Sequence, residues 1–442
     1  MSLFRFRAPR IVAPYFWHHP IIFFLAKWLI ISALIGLFVG SASALFLVSL
    51  EWATQWREGH SWIIALLPLA GLLSGCMYHY WGKDVEGGNN LLLENIHRPT
   101  KIIPLKIAPF VLIGTIATHL FGGSAGREGT ALQIGGSIAD QFTRVLRLRP
   151  RDRRLILIAG IAAGFGSVFG TPLAGAVFGL EVFFIGRLQY DGLFPAFASA
   201  IFADITTRAW HVGHTHYHIP LVPELSAMPV LWAMVAGIVF GVASVVFSSL
   251  THALSSIFKK YVEYPPFRPM LGGALVAIAV FAIGTTKYIG LGIPTIVESF
   301  TVQLPQYDFA LKILFTALTL GAAFKGGEVT PLFFIGATLG NALSYFIPLP
   351  MGLLAGMGFI AVFAGAANTP LACILMAVEL FGTECGVYAG IACVLAYFFS
   401  GHRGIYGAQM VGKSKHVIYS HHEGKSLSDL RTNPKKIAHE QH

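Results

Sequence analysis

The amino-acid sequence predicts an all-α, polytopic transmembrane protein, built as two inverted-repeat halves with many broken and tilted helices. Three observations predict this fold class: an apolar composition, recurrent apolar stretches and an internal repeat. Of the 442 residues, 55% are hydrophobic and only 12% are charged, whereas soluble domains carry about 25% charged residues. The apolar stretches have roughly the length of a membrane-spanning helix. They cover residues 20–50, 62–81, 155–185, 230–247 and 349–376.

Glycine and proline interrupt several of these stretches, and the chain contains 48 glycines. A helix that breaks inside a bilayer leaves backbone N–H and C=O groups without partners unless protein or water satisfies them. Such breaks are tolerated where they line an interior site, and they are typical of transporters built from repeats. We therefore expect the broken helices to surround a binding site inside the membrane.

Three sequence elements occur twice, in the same order and at a nearly constant offset. The central one is Gly-x-Glu-x-Thr-x-Leu; Thr-Pro-Leu-Ala follows it, and a segment that begins with glycine precedes it. The paired segments are 88–94 with 292–298, 126–132 with 326–332, and 171–174 with 369–372. Agreement at all three indicates two related halves, roughly 20–210 and 229–401. We expect the halves to be inverted, because inverted repeats are common where a site lies at a repeat interface.

The basic residues indicate how the chain is oriented. Six arginines crowd the segment 144–154, and further Lys and Arg residues lie in the C-terminal tail, whereas 211–224 contains neither. Because cytoplasmic loops carry the excess of Lys and Arg, we expect multi-pass insertion in the cell (inner) membrane with both termini cytoplasmic. This topology accounts for the net charge of +10, so no nucleic-acid partner is needed.

We divide the chain into a cytoplasmic N-terminal segment (1–19), a transmembrane domain (20–406) and a polar cytoplasmic tail (407–442). The tail is rich in His and Lys, and it is too short for a regulatory domain. Chain ends of this kind are usually poorly ordered unless something ties them down. We therefore expect the tail to be poorly ordered beyond Ser420.

Three glycine-containing segments predict helix starts inside the membrane. In each of them glycine is followed by polar residues and then by an apolar helix, at 88–90, 122–130 and 326–328. A helix start exposes unpaired N–H groups and the positive end of the helix dipole. Such an end readily binds an anion, and three that converge would form a dehydrated anion pocket.

Glu128 and Glu328 stand at two of these helix starts. A carboxylate can occupy an anion site itself, and once protonated it is neutral and can leave, which links anion movement to proton movement. The alternative is that both acids make N-terminal capping contacts. We favour gating and proton coupling, because ionisable residues inside a membrane are costly and usually functional. For Glu181 and Glu379, near helix ends with aromatic neighbours, functional and structural interpretations both stay open.

Two other patterns suggest different chemistry. Residues 122–126 fit the G-x-S-x-G motif, and an intramembrane serine hydrolase would use Ser124 with His119. That motif requires a strand, a turn and a helix with Asp and His partners, which a glycine turn inside a membrane does not supply. Four histidines between 211 and 218 could bind a metal, but without a carboxylate or thiolate cluster a solvated loop is favoured. We predict no metal site and no enzymatic activity.

The motifs together resemble the CLC channels and antiporters over about 26–406. They are Gly-Arg-Glu-Gly at 126–129, Phe-Gly-Thr-Pro-Leu-Ala-Gly at 169–175, Lys-Gly-Gly-Glu-Val-Thr-Pro at 325–331 and Gly-Ile-Tyr at 404–406. The resemblance implies an all-α homodimer in membrane lipid, with one pore per subunit and no cofactor. It also implies that Glu128 is the external gating glutamate and that Tyr406 helps to coordinate the central anion.

Several departures from the chloride-transporting members resemble the fluoride/proton antiporter branch of that family. Asn89 stands in the place of a serine that contacts the anion, and Thr130 replaces the proline of the gating motif. Glu328 and Val329 replace an Ile-Phe pair whose backbone amides face the anion. Val182 occupies the place of the internal proton-transfer glutamate, so a proton route needs another acid.

In the fluoride branch, Glu328 is the second proton-linked group and Thr330 is an additional pore contact. Fluoride is small, strongly hydrated and a strong hydrogen-bond acceptor, so its site must offer several good donors. We favour an exchanger of fluoride and protons, with a chloride channel or chloride/proton antiporter as the alternative. The predicted gating and coupling residues are Glu128 and Glu328, and the predicted anion-binding residues are Asn89, Asn90, Gly126, Arg127, Gly129, Val329, Thr330 and Tyr406.

Overall fold

The computed structural model describes residues 19–97 and 102–432, and almost all of its regular structure is helical. The prediction of an all-α fold is confirmed. The predicted N-terminal segment 1–19 lies outside the described residues except for its last residue, and the end of the predicted tail, 433–442, lies outside them as well.

The loop 210–226 separates two groups of helices in the described part of the chain. The first group comprises α1 (His19–Gly59), α2 (Leu67–Trp81), α3 (Gly88–His97), α4 (Ile107–Leu120), α5 (Glu128–Val145), α6 (Pro150–Phe169), α7 (Pro172–Glu181) and α8 (Leu193–Ala209). The second group comprises α9 (Ala227–Tyr261), α10 (Phe267–Ile283), α11 (Ile293–Glu298), α12 (Asp308–Gly321), α13 (Val329–Leu343), α14 (Met351–Ala367), α15 (Pro370–Phe381) and α16 (Gly386–Phe399). The predicted boundary between the halves falls at this loop.

Shorter elements complete the chain. Two-residue strands β1 (Phe184–Ile185) and β2 (Met410–Val411) pair in parallel, and the last described helix is α17 (Leu427–Thr432). The 3-10 helices are Ser61–Leu66, Lys83–Val85, Tyr190–Gly192, Thr383–Cys385 and Val417–His422.

Many of the apolar helices are too short to cross a membrane. In the described residues, three helical segments have the necessary length and composition: Pro20–Gly59, Ser61–Trp81 and Ala227–Tyr261. Seven other apolar segments have only 10–17 residues. At 1.5 Å per residue these reach about 15–26 Å, less than the roughly 30 Å thickness of a bilayer core. The chain therefore contains the broken helices that its glycine and proline content predicts.

Two of the apolar stretches are split in the same way, by a left-handed residue with a proline two positions later. After α6, Gly170 adopts the left-handed conformation (φ 70°), and α7 begins at Pro172. After α14, Asn368 is also left-handed (φ 57°), and α15 begins at Pro370. A left-handed residue ends a helix, and proline starts the next one well because the first helical position needs no N–H partner.

Glu181 and Glu379, whose role the sequence leaves open, each contact the start of the other's helix. Glu181 at the end of α7 accepts hydrogen bonds from the backbone N–H groups of residues 371 and 372 (3.2 and 2.9 Å), at the start of α15. Glu379 in α15 accepts them from residues 173 and 174 (2.9 and 2.8 Å), at the start of α7. Each carboxylate thus satisfies unpaired N–H groups beside a positive dipole end. This geometry favours the structural interpretation of both acids.

The tail is packed as far as residue 432, so the prediction of poor order beyond Ser420 is wrong for the described part. Leu427 in α17 is 1% exposed and packs with Ile185 and Val411 in a small apolar cluster. The side chain of Gln409 is fully buried and donates hydrogen bonds to two backbone carbonyl oxygens of the helical domain. One buried leucine in a polar segment gives little signal in a sequence, although here it holds the tail in place.

The apolar core joins the two groups of helices. Phe178 of α7 stacks on Phe165 of α6, with 4.2 Å between ring centroids, and also on Phe363 of α14, at 6.0 Å. Helix α5 packs on α6, α13 packs on α14, and α7 packs on α15. Because α5 and α13 are held by this core, their first residues have fixed positions at the junction of the two groups.

Candidate anion-binding site

Two of the predicted helix starts meet directly. Gly126, just before α5, and Gly327, just before α13, form an antiparallel bridge in which their N–H groups and carbonyl oxygens lie 2.6 and 2.7 Å apart. A Cβ atom at position 327 would lie 2.6 Å from the backbone nitrogen of Gly129. Only glycine permits this approach. The starts of α5 and α13 are therefore in contact through backbone atoms.

The third predicted helix start reaches the same place through Asn89, the second residue of α3. A Cβ atom at Gly129 would lie 2.9 Å from the side-chain nitrogen of Asn89. The amide of Asn89 thus lies against the first turn of α5. The three segments that the sequence marks as glycine-rich helix starts converge on one point.

Glu128 has no exposed surface and lies at this point. Its carboxylate accepts hydrogen bonds from the backbone N–H of Thr330 (3.0 Å), from the hydroxyl of Thr330, and from the backbone N–H of Arg127 (3.1 Å). The Arg127 side chain contributes an Nε atom 3.6 Å from the same carboxylate. The carboxylate of Glu128 therefore occupies the start of α13 in the way that a bound anion would.

A cavity of about 270 Å³ lies next to this point, and Asn89, Asn90, Glu328 and Tyr406 are among the residues that line it. It is also lined by Glu86, which is exposed. The cavity therefore communicates with the protein surface on that side. Glu128 is not among its lining residues.

Among the residues that line this cavity, three buried polar atoms have no hydrogen-bond partner in the described structure: Oδ1 of Asn89, Oε2 of Glu328 and the hydroxyl of Tyr406. Buried polar groups are normally paired, so unpaired ones call for an explanation such as a ligand or water. Oε2 of Glu328 can bind a proton, and the hydroxyl of Tyr406, which is 2% exposed, can donate to an anion. The arrangement can thus hold both a proton and an anion in one pocket.

The other residues predicted to bind the anion are buried or form hydrogen bonds within the protein. Asn90 accepts a hydrogen bond from the backbone N–H of Ala408 (3.0 Å), so it holds the tail as well as lining the cavity. Val329 is fully buried as the first residue of α13. Thr330, predicted as a pore contact, uses its hydroxyl and its N–H on Glu128.

Sequence reasoning missed several further residues that line the cavity, among them Tyr78, Gln133 and Lys325. The Nζ atom of Lys325 lies 4.0 Å from the ring centroid of Tyr78. Gln133 donates to the carbonyl of Gly129 (3.2 Å), one turn earlier in α5. Polar residues next to the Glu128 and Glu328 motifs were the available signal, because an intramembrane Gln or Lys seldom faces lipid.

The structure does not bring together the pair that the hydrolase alternative needs. The hydroxyl of Ser124 pairs with the hydroxyl of Thr316 (2.8 Å). The two ring nitrogens of His119 face the carbonyl oxygens of Thr115 (2.9 Å) and Ala125 (3.0 Å). Ser124 therefore has no base to activate it, and this geometry does not support the hydrolase alternative.

The histidines of the 211–218 segment are also not arranged as a metal site. Across the described residues, no three His, Cys, Asp or Glu side chains are grouped as metal ligands. His214 lies 3.8 Å from Asp204, a distance too long for a direct hydrogen bond.

Comparisons with known proteins agree with one another. The sequence profile of the family described as "Voltage gated chloride channel" matches residues 70–401, more than half of the chain. A protein named "Chloride/fluoride channel protein" from Pseudomonas syringae pv. tomato is 57% identical over 399 residues. That alignment covers 89% of this chain and 88% of the relative.

Solved structures give the same picture. The structure described as a CLC-type fluoride/proton antiporter is similar with a TM-score of 0.85 and 34% identity, over 88% of this chain and 98% of the other. A slow cyanobacterial Cl-/H+ antiporter is similar with a TM-score of 0.76 and 18% identity, over 94% of this chain and 99% of the other. At that identity the second similarity shows the fold alone.

Proposed function

This chain belongs to the voltage gated chloride channel (CLC) family of anion transporters and channels, and on that premise we propose that it exchanges fluoride for protons across the cell membrane. The observation that carries the proposal is the carboxylate of Glu128, which is held by donors at the start of α13. A free anion needs the same donors, so the carboxylate and the anion compete for them.

This competition couples the binding of a proton to the binding of an anion. The ionised carboxylate makes strong, charge-assisted hydrogen bonds to Thr330. A proton on Glu128 removes the charge and weakens these bonds, so the side chain leaves and an anion takes its place. The return of the carboxylate then requires loss of the proton and of the anion. One side chain thereby carries protons against the movement of anions.

Glu328 supplies the second proton-linked group in this proposal. Its Oε2 atom is buried without a partner, and the residue lines the cavity that reaches the surface near Glu86. Glu181, the neighbour of Val182, is engaged by two N–H groups of α15 and is a poor substitute for the absent internal glutamate. A proton that enters through the cavity therefore meets Glu328 before it reaches Glu128.

The donors around the cavity suit fluoride. The amide of Asn89 and the unpaired hydroxyl of Tyr406 add to the backbone N–H groups at the helix starts. Fluoride accepts stronger hydrogen bonds than chloride, and it loses more hydration energy when it binds. A site with several close hydrogen-bond donors replaces that hydration and therefore favours fluoride. The relatives whose names include fluoride, at 57% and 34% identity, support this choice.

Chloride is the second candidate substrate, because the name of the 57% identical relative includes both anions. Flux measurements in liposomes with a fluoride gradient or a chloride gradient separate the two. For the unmodified protein we expect fluoride-driven proton uptake and a fluoride flux at least about tenfold above the chloride flux, a barrier difference of about 1.4 kcal/mol. Equal fluxes would overturn the fluoride assignment and leave the family assignment unchanged.

We also propose that the protein is a homodimer in the inner membrane with cytoplasmic termini. The exposed apolar side chains of α8 and α16, such as Ile205 (56%) and Val394 (41%), need either lipid or a second copy as a neighbour. Chemical cross-linking in native membranes tests the dimer. Labelling of a cysteine introduced into the tail, from each side of the membrane, tests the orientation.

A further inference from the structure

A second and larger cavity shares no lining residue with the cavity of the candidate anion-binding site. It has a volume of about 950 Å³ and is formed by α9, the end of α16 and the tail, and we call it the tail groove. Its lining includes two arginines and four histidines, and none of the described residues that line it is Asp or Glu. The basic lining residues are His252, His402, Arg403, His421, His422 and Arg431.

The two arginines of the tail groove form no ion pair among the described residues. Nη1 of Arg403, which is exposed, has one distant contact with the hydroxyl of Ser249 (3.5 Å). Nε of Arg431 donates to the carbonyl of Leu427 (3.1 Å). A guanidinium group has five N–H donors, so both side chains keep donors for an anion. The groove is therefore positively charged and has no internal counter-charge.

A hydrogen-bond chain orients one of the histidines as a donor. The backbone N–H of Lys415 donates to Nε2 of His402 (3.2 Å), so the proton of the neutral His402 ring is on Nδ1. That Nδ1 lies 2.7 Å from Nδ1 of His422 and donates to it. The proton of His422 is then on Nε2, where it can be donated to a ligand. Burial lowers the pKa of His402 to about 4, which keeps this ring neutral at pH 7.

The tail groove lies where a lipid headgroup would be. Helix α9 has 35 residues and is about 52 Å long, more than the roughly 30 Å of a bilayer core. His252, Ala253 and Ser256 of the groove lie in the last third of this helix, before Lys259 and Lys260. In the predicted orientation this end reaches the inner headgroup layer, where basic residues meet anionic lipids.

Apolar side chains border the same groove. Ile418 lines it and is 70% exposed, and its neighbour Val417 is 81% exposed. On α9, Val245 lines the groove, and the adjacent Val246 is 48% exposed. Exposed apolar residues beside cationic ones are typical of a segment that lies in the membrane interface. Binding of a free anion would not explain these exposed apolar side chains, whereas the acyl chain of a lipid would cover them.

We propose that the tail groove binds an anionic phospholipid, with its phosphate at Arg403 and His422 and its acyl chains against Val245 and Ile418. Phosphate oxygens accept hydrogen bonds from guanidinium and imidazole N–H groups, and arginine matches their geometry especially well. This site does not depend on which anion the protein transports. The lipid would fix the tail to α9 and thereby to the membrane surface.

Native mass spectrometry of the full-length protein in detergent tests the proposal, with dioleoylphosphatidylglycerol and dioleoylphosphatidylcholine as the added lipids. We expect phosphatidylglycerol to bind at least about tenfold more tightly, and Arg403→Gln to remove most of this preference, because a charge-assisted hydrogen bond is lost. Lys413→Gln is the matched control, since Lys413 is an exposed basic residue of the adjoining tail that does not line the groove. Arg403→Lys should keep part of the preference.

Two results would overturn the proposal. If Arg403→Gln and Lys413→Gln weaken phosphatidylglycerol binding equally, the lipid responds only to general surface charge. In a parallel titration with inorganic phosphate, thermal unfolding should show no stabilisation that depends on Arg403. Arg403-dependent stabilisation by inorganic phosphate, without Arg403-dependent binding of phosphatidylglycerol, would assign the groove to a free anion instead. Size-exclusion chromatography of each variant confirms that the comparison is made on folded protein.

Discussion

The hydroxyl and the backbone N–H of Thr330 both donate to the carboxylate of Glu128, so the second group of helices holds the glutamate of the first. These residues are 202 positions apart in the chain. The contact is possible because Gly126 and Gly327 form a backbone bridge directly beside it. Under the proposed function, Thr330 sets how firmly Glu128 blocks the anion site.

Thr330→Val tests this role, because it removes the hydroxyl and keeps the shape of the side chain. With one donor fewer the carboxylate is held less firmly, so we expect fewer protons per fluoride and a fluoride leak raised about tenfold, in line with the loss of a hydrogen bond to a charged group. Fluoride and proton fluxes in proteoliposomes give both quantities. Thr130→Val is the matched control, since its hydroxyl pairs with Thr115 (2.6 Å) instead of Glu128. An unchanged ratio in Thr330→Val would show that the hydroxyl has no part in gating.

Glu328→Gln tests the second proton-linked group. The amide keeps the size of the side chain but binds no proton, so coupled transport should fall at least about tenfold if the proton route passes through Glu328. Glu298→Gln is the control, since Glu298 is an exposed acid at the end of α11. Size-exclusion chromatography separates loss of transport from loss of fold. Normal coupling in Glu328→Gln would leave this residue with a structural role and weaken the fluoride proposal.

Asn89→Ser tests anion selectivity. The amide of Asn89 lies against Gly129 at the convergence of the helix starts, and serine replaces it with a smaller donor. A site discriminates when its polar groups are satisfied by one ion and left poorly paired by another. We expect the ratio of fluoride flux to chloride flux to fall severalfold, chiefly because chloride flux rises. The same ratio in the variant and the unmodified protein would remove Asn89 from the selectivity mechanism.

The reciprocal contacts of Glu181 and Glu379 predict a loss of stability without a loss of coupling. Each glutamine variant replaces one of the two accepting oxygens by an NH2 group, which cannot accept a hydrogen bond from a backbone N–H. Each variant should therefore lower the free energy of unfolding by about 1–3 kcal/mol. The protein is heated to a series of temperatures, and the measurement is the temperature at which its size-exclusion peak is lost. Glu384→Gln, at an exposed acid close to Glu379 in the chain, is the control. If Glu181→Gln instead abolished coupling in folded protein, Glu181 would have to be part of the proton route.

The sequence is sufficient to predict the all-α membrane fold and the helix starts at Gly88, Glu128 and Val329. These features depend on local composition, on glycine and on the order of motifs within each half. The partner of Glu128 was not predictable in the same way, because a hydrogen bond between distant residues depends on how the halves pack. Thr330 was expected to contact the anion, whereas in the structure its donors are used by the carboxylate.

The tail shows a second limit of sequence-based prediction. Its polar composition indicates poor order, yet Leu427 is buried and Asn90 of α3 accepts a hydrogen bond from Ala408. Leu427 has no distinctive local sequence, and Asn90 is predicted from the sequence for anion binding and not for a contact with the tail. The lining of the cavity by Gln133 and Lys325 was missed for the same reason: only the packed structure shows which face of a helix points inward.

The most direct test of the central claim is proton uptake driven by a fluoride gradient, measured in proteoliposomes with unmodified protein and with Glu128→Gln. The glutamine keeps one accepting oxygen for a Thr330 donor but has no group that exchanges a proton. We predict robust proton uptake by the unmodified protein and at least about a hundredfold loss in the variant, whether or not fluoride still passes. Proton uptake by Glu128→Gln at the rate of the unmodified protein would contradict the account.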